Sequence, residues 1–328
     1  MRRLELILAS AVVAVLVMAA VMAPFLAVHP PALQYRQAAN LPPVTLRMDA
    51  GWHPVLVSGT GSPIEVSFWV PGFPYRWLGL SWNRHLLGSQ DPEAPLFLLG
   101  TDALGRDLWS RMLYALRFSL AAGLAGALLA LAAGLPAGCW AGYRGGWVDT
   151  VMMRLCDLML ALPGLFLVLG LRAVFPLRMD SWTVFWLVVT VFVLIGWASV
   201  TRVVRGQVTA LKEMPHVAAV RIMGASHTRV LLRHILPFLR GYLGVQFLVF
   251  LPLFMLGEIT MSFLGVGVQE PEVSLGTMLG AASSLATISL YPWQLAVPAA
   301  AILLPALALN LLGEHLKKAD ADLPSRWW

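Results

Sequence analysis

Residues 117–141, RFSLAAGLAGALLALAAGLPAGCWA, carry no charge after Arg117. A helix needs roughly 20 apolar residues to cross the hydrocarbon core of a bilayer, so this stretch is long enough to span a membrane. The whole chain has the same character, with 59% hydrophobic residues, 12% charged residues and a mean hydropathy of +0.75. Because soluble domains are far more polar, these values predict an all-α membrane protein.

Five further apolar runs are long enough to cross a bilayer, which gives six predicted transmembrane helices. The second of them carries Gly134, Gly138 and Gly142 at every fourth residue, a spacing that lets two helices approach closely. An even number of spans places both termini on the same side of the membrane. The predicted spans are 4–27, 117–141, 152–172, 182–201, 241–264 and 292–313.

Arginine and lysine are distributed unevenly between the connecting loops. Loop 202–240 carries seven of these residues, whereas loop 265–291 carries none. Short loops rich in basic residues stay in the cytoplasm. Loop 202–240 and both termini are therefore predicted to be cytoplasmic in a multi-pass protein of the cytoplasmic membrane. We expect the protein to be surrounded by membrane lipid. We do not expect it to bind nucleic acid, because its arginines are scattered instead of forming one basic face.

This topology divides the chain into four predicted parts. The N-terminal helix, 1–27, is expected to be retained, because its apolar run is longer than that of a signal peptide. An extracytoplasmic insertion follows at 28–98, then a helical core at 99–315 that includes loop 202–240, and a cytoplasmic tail at 316–328.

The insertion has the pattern of β-structure. In PIEVSFWV, residues 63–70, the apolar residues Ile64, Val66, Phe68 and Val70 alternate and are predicted to lie on one face of a strand. VLV (55–57) precedes it, with SGTGS between them. This arrangement predicts a β-hairpin, and hence a small β-rich insertion between the first and second helices.

The sequence lacks the common motifs for catalysis and metal binding. It contains no GxxxxGK[ST] phosphate loop, GxSxG elbow or HExxH helix. His216, His227 and His234 share one loop, but their spacings do not suit a metal site, so they are interpreted as surface residues. Cys139 and Cys156 are interpreted as packing residues. We therefore expect no catalytic residue, metal or cofactor in this chain.

Two carboxylates lie in or near predicted helices, where a charge is costly. Asp157 follows Arg154 by three residues, a spacing that predicts a structural ion pair along one helix. Glu258, one turn before Ser262, lies deeper in the fifth helix. Two interpretations of Glu258 stay open. It lines a transport pathway with Ser262, as in an ion-coupled secondary transporter, or it makes a buried structural hydrogen bond.

Residues 215–237, PHVAAVRIMGASHTRVLLRHILP, form a polar segment between two apolar runs. Pro215 suits the first turn of a helix, Gly224 permits the backbone conformation that ends it, and Ser226 can cap a second helix. A helical pair of this kind lies on lipid or binds a soluble protein. The first helix has too little apolar surface for strong lipid insertion, which favours protein binding.

Three segments resemble the C-type permeases of oligopeptide and dipeptide ABC importers, and the likeness covers residues 99–315. That family has a loop with the pattern E-A-A, three residues, G, nine residues, I-x-L-P. Gly224, Leu236 and Pro237 keep this pattern, whereas Ala218 stands where the family has an acid. The other two segments are LGTDALGRDLWSRMLYALRFSL (99–120) and EITMSFLGVGVQEPEVSLGTML (258–279).

This resemblance implies the type I ABC importer permease fold and a transport subunit that is not itself an enzyme. With a second, homologous permease the chain would form half of a pathway for peptides, and an external binding protein would deliver the substrate. Two ATPase subunits would bind ATP and magnesium and dock on the loop. Nickel or another small substrate stays an alternative, because such importers share these motifs. The residues that the resemblance assigns to ATPase coupling are Pro215, His216, Val217, Ala218, Ala219, Val220, Arg221, Met223, Gly224, Leu236 and Pro237.

Overall fold

The computed structural model describes residues 2–48, 54–57, 59, 63–77, 79–89, 91, 95–164, 170 and 180–321. Helices dominate these residues, and a 3-10 turn lies at Arg36–Ala38 and a π turn at Leu231–Ile235. The helices are α1 (Arg2–Val21), α2 (Ala23–Leu26), α3 (Leu108–Arg144), α4 (Gly146–Ala161), α5 (Ser181–Lys212), α6 (Pro215–Ile222), α7 (His227–Val230), α8 (Leu236–Phe263), α9 (Leu275–Ala281), α10 (Leu285–Leu290) and α11 (Pro292–Ala321). The strands are β1 (Thr45–Met48), β2 (Pro54–Val57), β3 (Pro63–Ile64), β4 (Val66–Trp77) and β5 (Leu80–Ser89).

Within this part of the chain, five helical stretches are long and apolar enough to cross a membrane. The chain is therefore a multi-pass membrane protein. The predicted span 152–172 lies only partly within the described residues, and α4 covers its first part. The five stretches are Leu4–Val21, Leu108–Arg144, Trp182–Lys212, His227–Phe263 and Pro292–Lys317.

Helix α5 runs about three turns further than the sequence predicts. Its apolar run ends near 201, but the helix continues to Lys212, because arginine and lysine are good helix formers and do not end a helix by themselves. Arg202 and Arg205 therefore lie on this helix and form ion pairs with α4. Lys212 Nζ donates to the Gly142 carbonyl at 3.1 Å.

The chain divides into two compact units. One contains Met1–Leu6, Ala122–Met255 and Leu309–Trp328, and the other contains Ile7–Ala121 and Leu256–Ala308. The predicted boundaries at 28, 99 and 316 separate parts of the chain on different sides of the membrane. The division into two units does not test them, so they stay predictions.

In the first unit, the glycines of α3 bring it into direct backbone contact with α5. A Cβ atom on Gly138 would lie 2.7 Å from both the Thr201 carbonyl oxygen and the Val204 Cβ. The Thr201 hydroxyl donates to the Gly134 carbonyl at 3.2 Å, a cross-helix bond that only such a short separation allows. The close approach predicted from the glycine spacing is confirmed.

In the second unit, the residues between α2 and α3 include two antiparallel sheets. One has the order β1-β2-β3, with Leu56 opposite Ile64, and the other pairs β4 with β5, with Val70 opposite His85. The alternating stretch 63–70 thus contributes β3 to one sheet and the start of β4 to the other, and Glu65 lies between the two strands. Ile64 and Val70 are buried, whereas Phe68 is exposed. The predicted common face is wrong, because Trp69, between Phe68 and Val70, has a φ of +59° and interrupts the alternation of the strand.

Candidate functional site

The polar segment 215–237 folds as a short helix, a tight turn and a second helix. Pro215 takes the first position of α6, where the N–H that it lacks would have no helical partner. Gly224 follows the end of α6 with a φ of +83°, a left-handed conformation that favours glycine. The Ser226 hydroxyl accepts a hydrogen bond from the Arg229 N–H at 3.4 Å and caps α7. The sequence predicts this arrangement from Pro215, Gly224 and Ser226.

The segment buries some apolar side chains and leaves others exposed at its turn. Val217, Val230 and Ile235 are fully buried and hold the two helices in place. Ile222 and Met223 are 87% and 77% exposed, and no part of the described chain covers them. Together with Gly224 they form what we call the docking tip. Two adjacent large apolar side chains at the end of a helix are a feature of surfaces that bind another protein.

Helices α7 and α8 are joined by the π turn at Leu231–Ile235 without interruption. The stretch His227–Phe263 is therefore one continuous helical element, long and apolar enough to cross a membrane. It begins three residues after Gly224, so the docking tip is attached closely to a membrane-spanning helix.

Glu258, near the other end of α8, is fully buried and held by serine side chains. The Ser119 hydroxyl of α3 donates to Oε2 at 2.5 Å, and the Ser262 hydroxyl donates to Oε1 at 2.7 Å. The side chain of Ser274, the residue that caps α9, also faces the carboxylate. The Ser262 hydroxyl accepts the Val268 N–H at 3.0 Å. One carboxylate thus connects α3, α8 and the segment that leads into α9.

A cluster of four charged side chains lies beside the start of α3. Arg106 Nε donates to Asp102 Oδ2 at 2.7 Å, and Arg106 Nη1 donates to Glu270 Oε2 at 2.6 Å. Arg111 Nη2 donates to Glu270 Oε1 at 2.8 Å, and its Nη1 donates to the Pro31 carbonyl at 3.2 Å. Both arginines are buried, whereas Glu270 is half-exposed. A single carboxylate therefore ties the loop after α8 to the segment before α3.

Two aspartates of α4 pair with arginines of α5. Asp157 forms an ion pair with Arg202 at 2.5 Å. The predicted ion pair between Asp157 and Arg154 is therefore wrong. The reason is that Asp157 reaches across to the neighbouring helix instead of along its own. Asp149 accepts two hydrogen bonds from Arg205, and these bonds hold the pKa of Asp149 below its ordinary value.

The remaining side chains singled out from the sequence have local roles. The Tyr143 hydroxyl lies 2.9 Å from His227 Nδ1, and the His216 ring lies 5.7 Å from that of Phe238. Cys139 and Cys156 are buried and unpaired, in agreement with a packing role. Over the described ranges there is no group of three or more histidine, cysteine or acidic side chains that could hold a metal ion.

A family model for the inner membrane component of binding-protein-dependent transport systems matches residues 134–319. The chain belongs to this family of permeases. The permease is 35% identical to the oligopeptide transport system permease protein OppC of Bacillus subtilis, over 72% of its own length and 75% of OppC. It is 38% identical to the glutathione transport system permease protein GsiD of Pectobacterium atrosepticum, over 69% of its own length and 73% of GsiD. For the dipeptide transport system permease protein DppC of B. subtilis the identity is 36%, over 72% of each chain.

These relatives confirm the resemblance to ABC importer permeases that the three motifs carry. The permease is a transport subunit of the cell inner membrane and not an enzyme, because its relatives are membrane components of transport systems. The matched range 134–319 includes the docking tip and Glu258 with Ser262 and Ser274.

The sequence indicates Glu258 and Ser262 as candidate site residues, but not Ser119 and Ser274, the other two serines around the carboxylate. Ser119 stands near the start of the apolar run 117–141, where a lone hydroxyl could have indicated a buried polar partner. Ser274 precedes Thr277 by three residues, and the two form a capping box at the start of α9. That spacing could have placed Ser274 at a helix end, although not beside Glu258.

The Glu270 carboxylate provides a first prediction. Glu270→Ala should lower the free energy of unfolding of the permease by about 2 kcal/mol, because the two buried guanidiniums of Arg106 and Arg111 then have one carboxylate, that of Asp102, to balance two charges. The expected loss is below that of a fully buried pair, since water can reach the half-exposed site. Thermal unfolding in detergent micelles measures it. Glu272→Ala, an exposed acid on the same loop, should stay within about 0.5 kcal/mol, and equal effects of the two changes would contradict the assignment.

Proposed function

We propose that this permease forms half of a translocation pathway for peptides and that cytoplasmic ATPase subunits drive it through residues 215–237. The observation that carries this proposal is the docking tip, where Ile222 and Met223 stand exposed on a capped and anchored loop. The peptide substrate is supported by the relatives, which are permeases of oligopeptide, glutathione and dipeptide systems.

The proposed assembly contains partners on both sides of the membrane. A second, homologous permease completes the pathway, two ATPase subunits bind ATP and magnesium, and a substrate-binding protein delivers the peptide from outside. Six spans, with 152–172 as the third, keep both termini in the cytoplasm and the segment 28–98 outside. The uneven distribution of basic residues between loops 202–240 and 265–291 supports this orientation.

The geometry supplies a direct route for coupling. ATP-driven closure of the ATPase subunits would displace the docking tip, and the continuous stretch His227–Phe263 would carry that displacement into the membrane. Buried Val217 and Val230 keep the tip from moving independently of its helices. A rigid connection of this kind converts a movement of the partner into a movement of the span.

Contact with the ATPase has to form without an acid at position 218. Ala218 is half-buried on α6, and its neighbour Arg221 is exposed. Ile222 and Met223 are therefore expected to provide most of the contact energy by burial of apolar surface, at about 1.5–3 kcal/mol for each side chain that becomes fully buried.

A charge placed at the docking tip tests this proposal. Met223→Asp should reduce ATP-dependent uptake of a labelled tripeptide by at least about tenfold, because an unpaired carboxylate opposes burial against the ATPase. Uptake is measured in proteoliposomes that contain the complete transporter, together with the amount of ATPase retained on the purified permease. Gly224→Leu should have a similar effect, since its left-handed backbone conformation opposes a branched side chain.

Leu232→Asp is the matched control, because Leu232 is an exposed leucine of the same loop outside the docking tip. It should retain the ATPase. Normal uptake by the Met223→Asp variant would contradict ATPase docking at the tip. Uptake by liposomes that contain the permease alone and a proton gradient would contradict ATP-driven transport altogether.

A further inference from the structure

The hairpin β4–β5 touches the end of α1 and the start of α2 at two points. Trp77 Nε1 donates to the Val21 carbonyl at 3.2 Å, and the Trp69 ring packs edge-on against Phe25 with a centroid distance of 5.6 Å. Val21 is the last residue of α1 and Phe25 belongs to the short helix that follows, so the hairpin is held beside the end of α1.

We place the end of the hydrocarbon core near Val21, where both the helix α1 and its apolar stretch end. The apolar stretch Leu4–Val21 has 18 residues, which is about 27 Å of helix and close to the roughly 30 Å core of a bilayer. Ile7, Val15 and Met18 are exposed along this stretch, as expected of side chains that face lipid. A hairpin that is anchored at Val21 consequently lies near the height of the lipid headgroups.

The hairpin exposes large apolar side chains at this height. Leu80 lies directly opposite Trp77 across the strands, and Trp82 follows two residues later on the same face of β5. Leu80 is 63% exposed, and Trp82 and Trp69 are exposed as well. Tryptophan is enriched where membrane proteins pass from hydrocarbon to water, because its ring is apolar and its N–H is polar.

An exposed arginine accompanies these apolar residues. Arg84 follows Trp82 by two residues and therefore lies on the same face of β5 as Leu80 and Trp82. Arg84 Nη1 donates to the Trp69 carbonyl at 3.1 Å, which leaves further donors of its guanidinium for other partners. Guanidinium groups bind phosphate through several N–H donors at once, so lipid headgroups are suitable partners for Arg84.

We propose that the hairpin β4–β5 is an interfacial membrane anchor. Trp69, Leu80 and Trp82 insert between the lipid headgroups at the end of α1, and Arg84 binds their phosphates. This role requires only that α1 crosses the membrane, so it is independent of the transported substrate and of the ATPase. It also leaves the opposite face of the hairpin, with Val70 and His85, turned away from the lipid.

Spin labels at two exposed leucines of the β-structure test the proposal. Leu80→Cys places a label on the hairpin, and Leu46→Cys, 67% exposed on β1, provides the matched control. Both changes are made in a Cys139→Ala, Cys156→Ala background, and the full chain is reconstituted in lipid nanodiscs. The label at 80 should collide with oxygen, which partitions into lipid, and be protected from an aqueous nickel chelate. The label at 46 should show the reverse, with a several-fold difference in the ratio of the two collision rates.

Equal accessibility of both labels to the nickel chelate would overturn the proposal. Protection at 80 that appears only after the partner subunits are added would overturn it too, because protein and not lipid would then cover the hairpin. If the Leu80→Cys chain fails to insert, a label at Trp82→Cys answers the same question, since Trp82 lies on the same face of β5.

Discussion

Replacing Glu258 with alanine should lower the free energy of unfolding of the permease by about 4 kcal/mol, through a buried cavity and unpaired hydroxyls. The Ser119 and Ser262 hydroxyls both donate to this carboxylate and are themselves buried. Glu258→Gln should cost less, because the amide keeps the volume and one of the two acceptor oxygens. Thermal unfolding in nanodiscs distinguishes the three proteins.

A double variant separates the two interpretations of Glu258. The double variant Glu258→Leu, Ser119→Ala removes both partners of the hydrogen bond between Ser119 and Glu258. It should recover most of the stability that Glu258→Ala loses, because no unpaired donor is left on α3. The Ser262 hydroxyl can then bond to a carbonyl of its own helix. Normal peptide uptake by this stable variant would show that the carboxylate is structural. Loss of uptake at full stability would show that it lines the pathway.

Replacing Gly138 with leucine should prevent the contact between α3 and α5 and cost about 3 kcal/mol or more. The atoms in the way include the Thr201 carbonyl oxygen, which belongs to a helix backbone and cannot move aside like a side chain. We expect little folded permease, measured as the monodisperse fraction in size-exclusion chromatography and as the midpoint of thermal unfolding.

Gly206→Leu is the matched control for the same helix pair. A Cβ atom on Gly206 meets nothing within 4 Å, although the residue also lies in the middle of a helix. This change should be neutral or stabilise the helix by up to about 1 kcal/mol, because glycine is a poor helix former. If both leucine variants fold equally well, the close contact at Gly138 is not needed for packing.

The sequence predicts features that depend on neighbouring residues. Apolar runs locate the spans, the spacing of Gly134, Gly138 and Gly142 predicts the helix contact, and Pro215 with Gly224 predicts the shape of the loop. Each of these signals comes from a pattern within about 25 residues, where the period of a helix determines which side chains share a face.

The pairs that the sequence does not predict join residues far apart in the chain. Ser119 and Glu258 are separated by 139 positions, and Arg106 and Glu270 by 164. No periodicity within one helix indicates which distant carboxylate a hydroxyl or guanidinium will reach. The same limit explains why the sequence predicts Arg154, three residues away, as the partner of Asp157, although Arg202 is its partner.

The two carboxylates Glu258 and Glu270 have a joint consequence for movement during transport. Each fastens the region between the end of α8 and the start of α9 to the chain around the start of α3, one through serine hydroxyls and the other through Arg106 and Arg111. Two attachment points separated along the chain oppose rotation of one segment against the other as well as translation. We therefore expect these segments to move together during the transport cycle, so that the bending occurs elsewhere in the permease.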